Sequence, residues 1–125
     1  MTESCGCIYV EVDGSPDFYT TKIRKARKQH KCGECNRIIE KREKYEYVSG
    51  MWDGDINSYK TCSVCMEIRS EFFCEAWIFG DIISSLREHI YDMNGNISED
   101  CMSRLTQPAK EVVCKIIEKI WEETQ

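Results

Sequence analysis

Apolar and polar side chains alternate with two different periods along the chain, dividing it into a strand-rich first part and a helical second part. Ile8, Val10 and Val12 alternate with Tyr9 and Glu11, a period of two that predicts a short strand. Gly14, Ser15, Pro16 and Asp17 then read as a turn, and residues 18–23 as another extended piece. Tyr45, Tyr47 and Val48 have the aromatic and β-branched character of a strand, with residues 56–61 as its antiparallel partner. Between them lie Ser49, Gly50, Met51, Trp52, Asp53 and Gly54, and AspGly is a favoured turn dipeptide, so the pair predicts a hairpin.

Beyond Thr61 the period lengthens. Val64, Ile68 and Phe72 recur every four residues, flanked by Cys65, Phe73 and Trp77, which predicts a helix. A second helical stretch over 81–91 puts Ile82, Ile83, Leu86 and Ile90 on one face and ends at Asn94, Gly95 and Asn96. Ser98 is placed to cap a short helix through Leu105, and Pro108 suits the first turn of a last helix. That last helix is the clearest amphipathic segment. Val112, Val113, Ile116, Ile117, Ile120 and Trp121 form a stripe opposite Lys110, Glu111, Lys115, Glu118, Lys119 and Glu122.

Composition narrows the class. A chain of 125 residues fits a single compact unit, and 42% hydrophobic with 31% charged residues is the balance of a soluble globular protein. So small a core gains from a metal clip. No apolar run has the length of a membrane helix, and Met1 to Cys5 lack the basic-then-apolar order of a signal peptide, so a cytoplasmic location is expected. The net charge of −5 is uneven: residues 1–65 hold 11 basic against 10 acidic side chains, residues 66–125 hold 6 against 12. An acidic total counts against sequence-independent affinity for nucleic acid, which depends on neutralising phosphates.

The cysteines add the chemistry. Nine is an odd number for a disulfide framework, and two CxxC pairs, Cys32 with Cys35 and Cys62 with Cys65, have the spacing of a metal site. Reduced thiols are therefore expected. Four thiolates close the tetrahedral coordination of Zn²⁺, and the 26 residues between the pairs suffice for a hairpin that returns the chain to the metal. The resulting order, knuckle, hairpin, helix, is that of a treble-clef finger. The fold expected is α+β: a treble-clef-like module with an N-terminal strand over 1–79, and a helical extension packed on it over 80–125. With four cysteines the metal has no open position, so its role is structural.

Other residues are weaker candidates. Cys5, Cys7 and Cys74 supply three ligands for a second metal, without an evident fourth. Cys101 and Cys114 fall on helices and read as small core residues. Lys22, Arg24, Lys25, Arg27, Lys28 and Lys31 form a basic run suited either to a nucleic-acid backbone or to solvent, with Trp52 near the hairpin tip as a stacking or gripping ring. Neither His30 nor His89 stands in a catalytic arrangement, and there is no glycine-rich phosphate loop, so no enzyme is expected.

The text AlaArgLys from Ala26, His30, CysGlyGluCys, Tyr45 and Tyr47, TrpAspGly, then Tyr59LysThrCys and Cys65 resembles small uncharacterised phage and prophage zinc-binding proteins. The resemblance spans about residues 5–80. Such proteins often carry an N-terminal CxC like Cys5 and Cys7 and a cysteine-rich turn before a tryptophan, like Cys74 and Trp77. Where they have a second cysteine in that turn this chain has Ala76, and they favour a glycine near Arg42. The finger order is also similar to LIM, poly(ADP-ribose) polymerase and HNH fingers, but the HNH histidine pattern is missing, so nuclease activity is not carried over. The resemblance implies a phage-encoded, non-enzymatic binding module in the host cytoplasm. Its partner would be a protein, as in inhibition of a host defence or regulatory complex; the alternative is a nucleic-acid binder using segment 22–31 and the hairpin aromatics.

Overall fold

The computed structural model describes Ile8 and residues 18–52, 54–73 and 77–123, and it is α+β as the two periods predict. Among these residues five strands precede four helices: β1 (Phe18–Lys25), β2 (His30–Lys31), β3 (Ile38–Ile39), β4 (Lys44–Trp52), β5 (Asp55–Cys62), α1 (Ser63–Phe72), α2 (Ile82–Asp92), α3 (Glu99–Arg104) and α4 (Gln107–Glu123). Strands β1, β4 and β5 form an antiparallel sheet in that spatial order, while β2 and β3 make a separate two-stranded ribbon. The extended piece before the basic run is thus a full third strand, with Thr21 opposite Val48 and Val48 opposite Tyr59.

The hairpin is longer and its turn tighter than predicted. Ser49, Gly50, Met51 and Trp52 continue β4, and Trp52 pairs with Asp55, leaving a two-residue connection. Gly54 sits there at φ +82°, where a residue without Cβ is unstrained. Cross-strand pairing of Met51 with Ile56 and of Trp52 with Asp55 outweighs the turn preference of SerGly.

Helix α1 stops at Phe72 rather than running to Trp77. Phe73 turns extended at φ −97° and ψ 134°, and Ile8 N–H donates to Phe72 O at 2.9 Å in a parallel bridge. This bridge is all that the described residues include of the predicted N-terminal strand; Val10, Val12 and the turn 14–17 lie outside them. Ile8, Ile68 and Phe72 then pack with Ile82, Leu86, Ile90, Val113 and Ile116 in one apolar core. Burying each such side chain stabilises the fold by about 1.5 to 3 kcal/mol.

On α4 the buried positions are Ala109, Val113, Ile116 and Ile120. Two expectations fail there. Cys114 is exposed, because its turn of the helix presents Val113 to the core instead, and Trp121 is 49% exposed at the edge of the stripe. From that edge Trp121 Nε1 donates to Asn94 O at 3.0 Å, closing the turn after α2. A Cβ on Gly95, which has φ +78°, would stand 2.6 Å from Trp121 Nε1. Gly95→Ala should therefore cost about 1 to 3 kcal/mol of stability by strain and overpacking, read as a lowered denaturant midpoint with unchanged slope.

Polar contacts tie the knuckle and α1 to the later helices, and α1 to the sheet. Ser98 Oγ caps α3 by accepting from Cys101 N as predicted, but α2 and α4 take caps from far away in sequence. Glu67 on α1 accepts from Thr106 N at 2.7 Å and from Thr106 Oγ1, at the start of α4. Glu34 accepts from Gly80 N at 2.7 Å and Ile82 N at 3.1 Å, at the start of α2. Arg69 on α1 forms a bidentate pair with Glu46 on β4, at 2.8 and 2.7 Å. No helix among the described residues is long and apolar enough to cross a membrane.

Candidate metal centre

Cys32 follows β2 directly and Cys35 closes the turn that leads to β3. Cys32 N–H donates to Arg37 O at 2.9 Å and Asn36 N–H to Cys32 O at 3.1 Å, so the turn is a closed loop around the two sulfurs. Asn36 takes φ +64°, a left-handed conformation that asparagine tolerates well. Arg42 takes φ +79°. Gly33 N–H donates to Lys60 O at 2.8 Å, which sews the knuckle to the outer edge of β5.

Cys62 ends β5 and stands at the N-cap of α1, with Cys65 in the first helical turn. The four sulfurs converge. All lie within 4.8 Å of one another, with Cys32 Sγ 3.9 Å from Cys65 Sγ and Cys35 Sγ 3.7 Å from Cys62 Sγ. A regular tetrahedron with metal–sulfur bonds of ~2.3 Å has edges of ~3.8 Å, so the sulfurs fit a tetrathiolate ion and lie far beyond the ~2.05 Å of a disulfide bond. Cys32, Cys62 and Cys65 are fully buried. Glu34 N and Cys62 N each donate to Cys32 Sγ at 3.4 Å, the backbone support expected of a thiolate.

Hydrogen bonds among the four sulfurs shift them in opposite directions. Hydrogen bonding from Cys35 leads in drawing Cys32 down to about 6, and hydrogen bonds from Cys32 and the other two thiols draw Cys62 down. Hydrogen bonding within the cluster pushes Cys35 and Cys65 up. Arg37 adds positive charge beside the cluster. Its guanidinium pairs with Glu43 at 3.0 and 2.8 Å, which raises it above its ordinary value with a contribution from Cys62, while Arg37 holds Glu43 below the usual carboxylate range.

Glu34 was not singled out by its sequence. It lies inside the first CxxC pair, is 8% exposed, and has its carboxyl pushed up by burial while Gly80 N–H and Ile82 N–H pull it back. A carboxylate beside thiolates is costly to bury, and these two donors offset that cost. Glu34→Ala would leave both N–H groups without a partner and should lower stability by about 2 kcal/mol while the metal count per chain stays the same. Denaturant unfolding combined with metal analysis reads both.

The remaining candidates divide. Cys5, Cys7, Cys74 and Ala76 lie outside the described residues. Cys101 is buried as expected but is disulfide-bonded, so the expectation of reduced thiols is not met there. Lys22, Arg24 and Lys25 lie on β1, Arg27 and Lys28 in the following loop and Lys31 on β2, all exposed. Trp52 is half-buried in an aromatic cluster, 6.4 Å from Tyr19, 5.6 Å from Tyr59 and 6.3 Å from Phe79 between ring centroids. By strand alternation it faces away from Lys22 and Arg24, so these residues do not form one surface. His30 packs its ring on Tyr45 and is lowered by partial burial, then by the charges of Lys60 and Lys28; His89 is lowered by burial beside Phe72.

No protein-family model, no curated protein and no solved structure matches the chain.

Proposed function

We propose that this chain is a non-enzymatic binding module, built on a treble-clef-like finger around one structural Zn²⁺ held by Cys32, Cys35, Cys62 and Cys65. The observation that carries this reading is the sulfur geometry. Separations of 3.7 and 3.9 Å match a tetrathiolate, and four thiolates leave no coordination position for water or substrate. The order of elements supports the finger: a knuckle between β2 and β3, the β4–β5 hairpin, and a second ligand pair at the start of α1. The resemblance to phage and prophage proteins supports a phage origin and a protein partner, such as a host defence or regulatory complex. Basic residues on the sheet favour a second reading, contact with nucleic acid.

Affinity purification of the tagged, metal-loaded chain, with quantitative mass spectrometry, tests the module. The expected result is one protein retained in near-equimolar amount and released when the metal is chelated. Retention that nuclease treatment abolishes favours the second reading. Turnover of a substrate dependent on the identity of the metal would overturn the structural role.

A further inference from the structure

The sheet has two unlike faces. Residues opposite one another across antiparallel strands share a face, as do alternate residues along each strand. One face meets the helices. Val48 and Glu46 are buried there, Glu46 on Arg69, while Tyr59 stacks on Phe79 at 4.9 Å. Towards the metal, the other face is covered by the knuckle, which buries Tyr45 and Cys62. Further along it is open, and carries Lys22 and Arg24 from β1, Tyr47 and Ser49 from β4, and Ser58 and Lys60 from β5.

That open face is basic beyond the thiolate cluster at its metal end. No carboxylate of the three strands lies on it, since Glu46 and Asp55 both point to the helix side. Among the described residues the ion pairs engage Arg37, Arg69 and Arg104, and none engages Lys22, Arg24 or Lys60. Lys22, Tyr47 and Lys60 stand in one row across the strands, which sets the two lysines ~10 Å apart, with Arg24 ~6.7 Å along β1 from Lys22. Arg24 lies over the Tyr47 ring with its guanidinium carbon 4.1 Å from the centroid. Stacking fixes the plane of the guanidinium, so its N–H groups are oriented before any anion arrives and little side-chain freedom is lost on binding.

We propose that this open face binds the sugar–phosphate backbone of single-stranded nucleic acid, with Lys22, Arg24 and Lys60 on phosphates, Arg24 held by Tyr47, and Ser49 and Ser58 as hydroxyl partners. Single-strand binders track the backbone with a positively charged surface, and this face supplies one across its three strands. The net charge of −5 does not oppose this, because the acidic excess lies in residues 66–125. The proposal rests on the second of the two readings of the module, contact with nucleic acid, and it differs from the segment 22–31 surface in dropping Lys25, Arg27, Lys28, Lys31 and Trp52 and adding Lys60, Ser49 and Ser58.

Fluorescence anisotropy with labelled oligo(dT) and oligo(U) tests it, using protein whose metal content and circular dichroism have been verified. Loss of the metal or fold would sink the module itself; absence of binding by loaded, folded protein at low salt sinks only the face. The expected log–log salt slope is about −2, from three phosphates on a single strand. Lys22→Glu with Arg24→Glu should weaken binding by about tenfold or more, and Lys22→Glu alone by several fold. Lys25→Glu with Lys44→Glu makes the same charge change on the opposite face and should leave binding within about twofold. Equal losses from the two pairs would mean general electrostatics and overturn the proposal. So would competition by poly-glutamate as effective as unlabelled oligonucleotide, which would assign the face to an acidic protein segment. Preference between oligo(dT) and oligo(U) identifies which nucleic acid the face takes.

Discussion

Removing the metal by chelation, or replacing Cys62 by serine, is expected to unfold the strand-rich part of the chain. Cys62 is where β5 ends and α1 begins, so one sulfur joins sheet, helix and knuckle. Structural zinc contributes about 10 to 16 kcal/mol in small zinc-finger peptides, comparable with the whole stability of about 5 to 15 kcal/mol of a typical domain. The apolar neighbours of the cluster, Ala26, Ile39 and Tyr45, are too few to hold β2 and β3 without it. Metal analysis of Cys62→Ser should give far less than one zinc per chain, with loss of the tyrosine and tryptophan near-ultraviolet dichroism. Acid has the same effect, since protons compete for the thiolates and the stability they supply is lost as pH falls. Part of the helical signal should survive, because the core of Leu86, Ile90, Val113 and Ile116 contains no ligand.

Glu46→Ala is expected to be the most damaging change away from the metal. Arg69 and Glu46 expose only 12% and 9% of their side chains, and the Arg69 guanidinium is also stacked 4.3 Å from the Trp77 ring centroid. Taking away the carboxylate leaves a nearly buried cation without its charge partner, at a cost of about 3 to 5 kcal/mol. Replacing both residues, as Glu46→Ala with Arg69→Met, removes the orphaned charge and should recover much of that loss. Denaturant unfolding of the two single variants and the double variant closes the cycle; additive losses would show that the pair is not coupled.

Much of this arrangement is written locally in the chain. The paired CxxC spacing names the four sulfurs, and the four-residue period names Ile68 and Phe72 as core. What local reading misses comes from partners far away in sequence. β1 reads locally as an extended piece only over 18–23, with Arg24 and Lys25 part of a charged run, and pairing with β4 carries the strand through them. Glu34 looks like a solvated spacer in a knuckle until Gly80 and Ile82 are brought to it from 46 and 48 residues away. Trp52 reads as a ring at an exposed tip because Tyr19 and Phe79, which shelter it, are distant in the chain. Trp77 has helical spacing from Phe73, yet α1 ends before it because Ile8 pairs with Phe73 and draws the backbone straight.

X-ray absorption at the zinc edge on purified protein tests the central claim most directly. Four sulfur neighbours at ~2.3 Å, with one zinc per chain, are the predicted result. A nitrogen or oxygen neighbour in place of any sulfur, or a chain that keeps its fold with no metal, would contradict it.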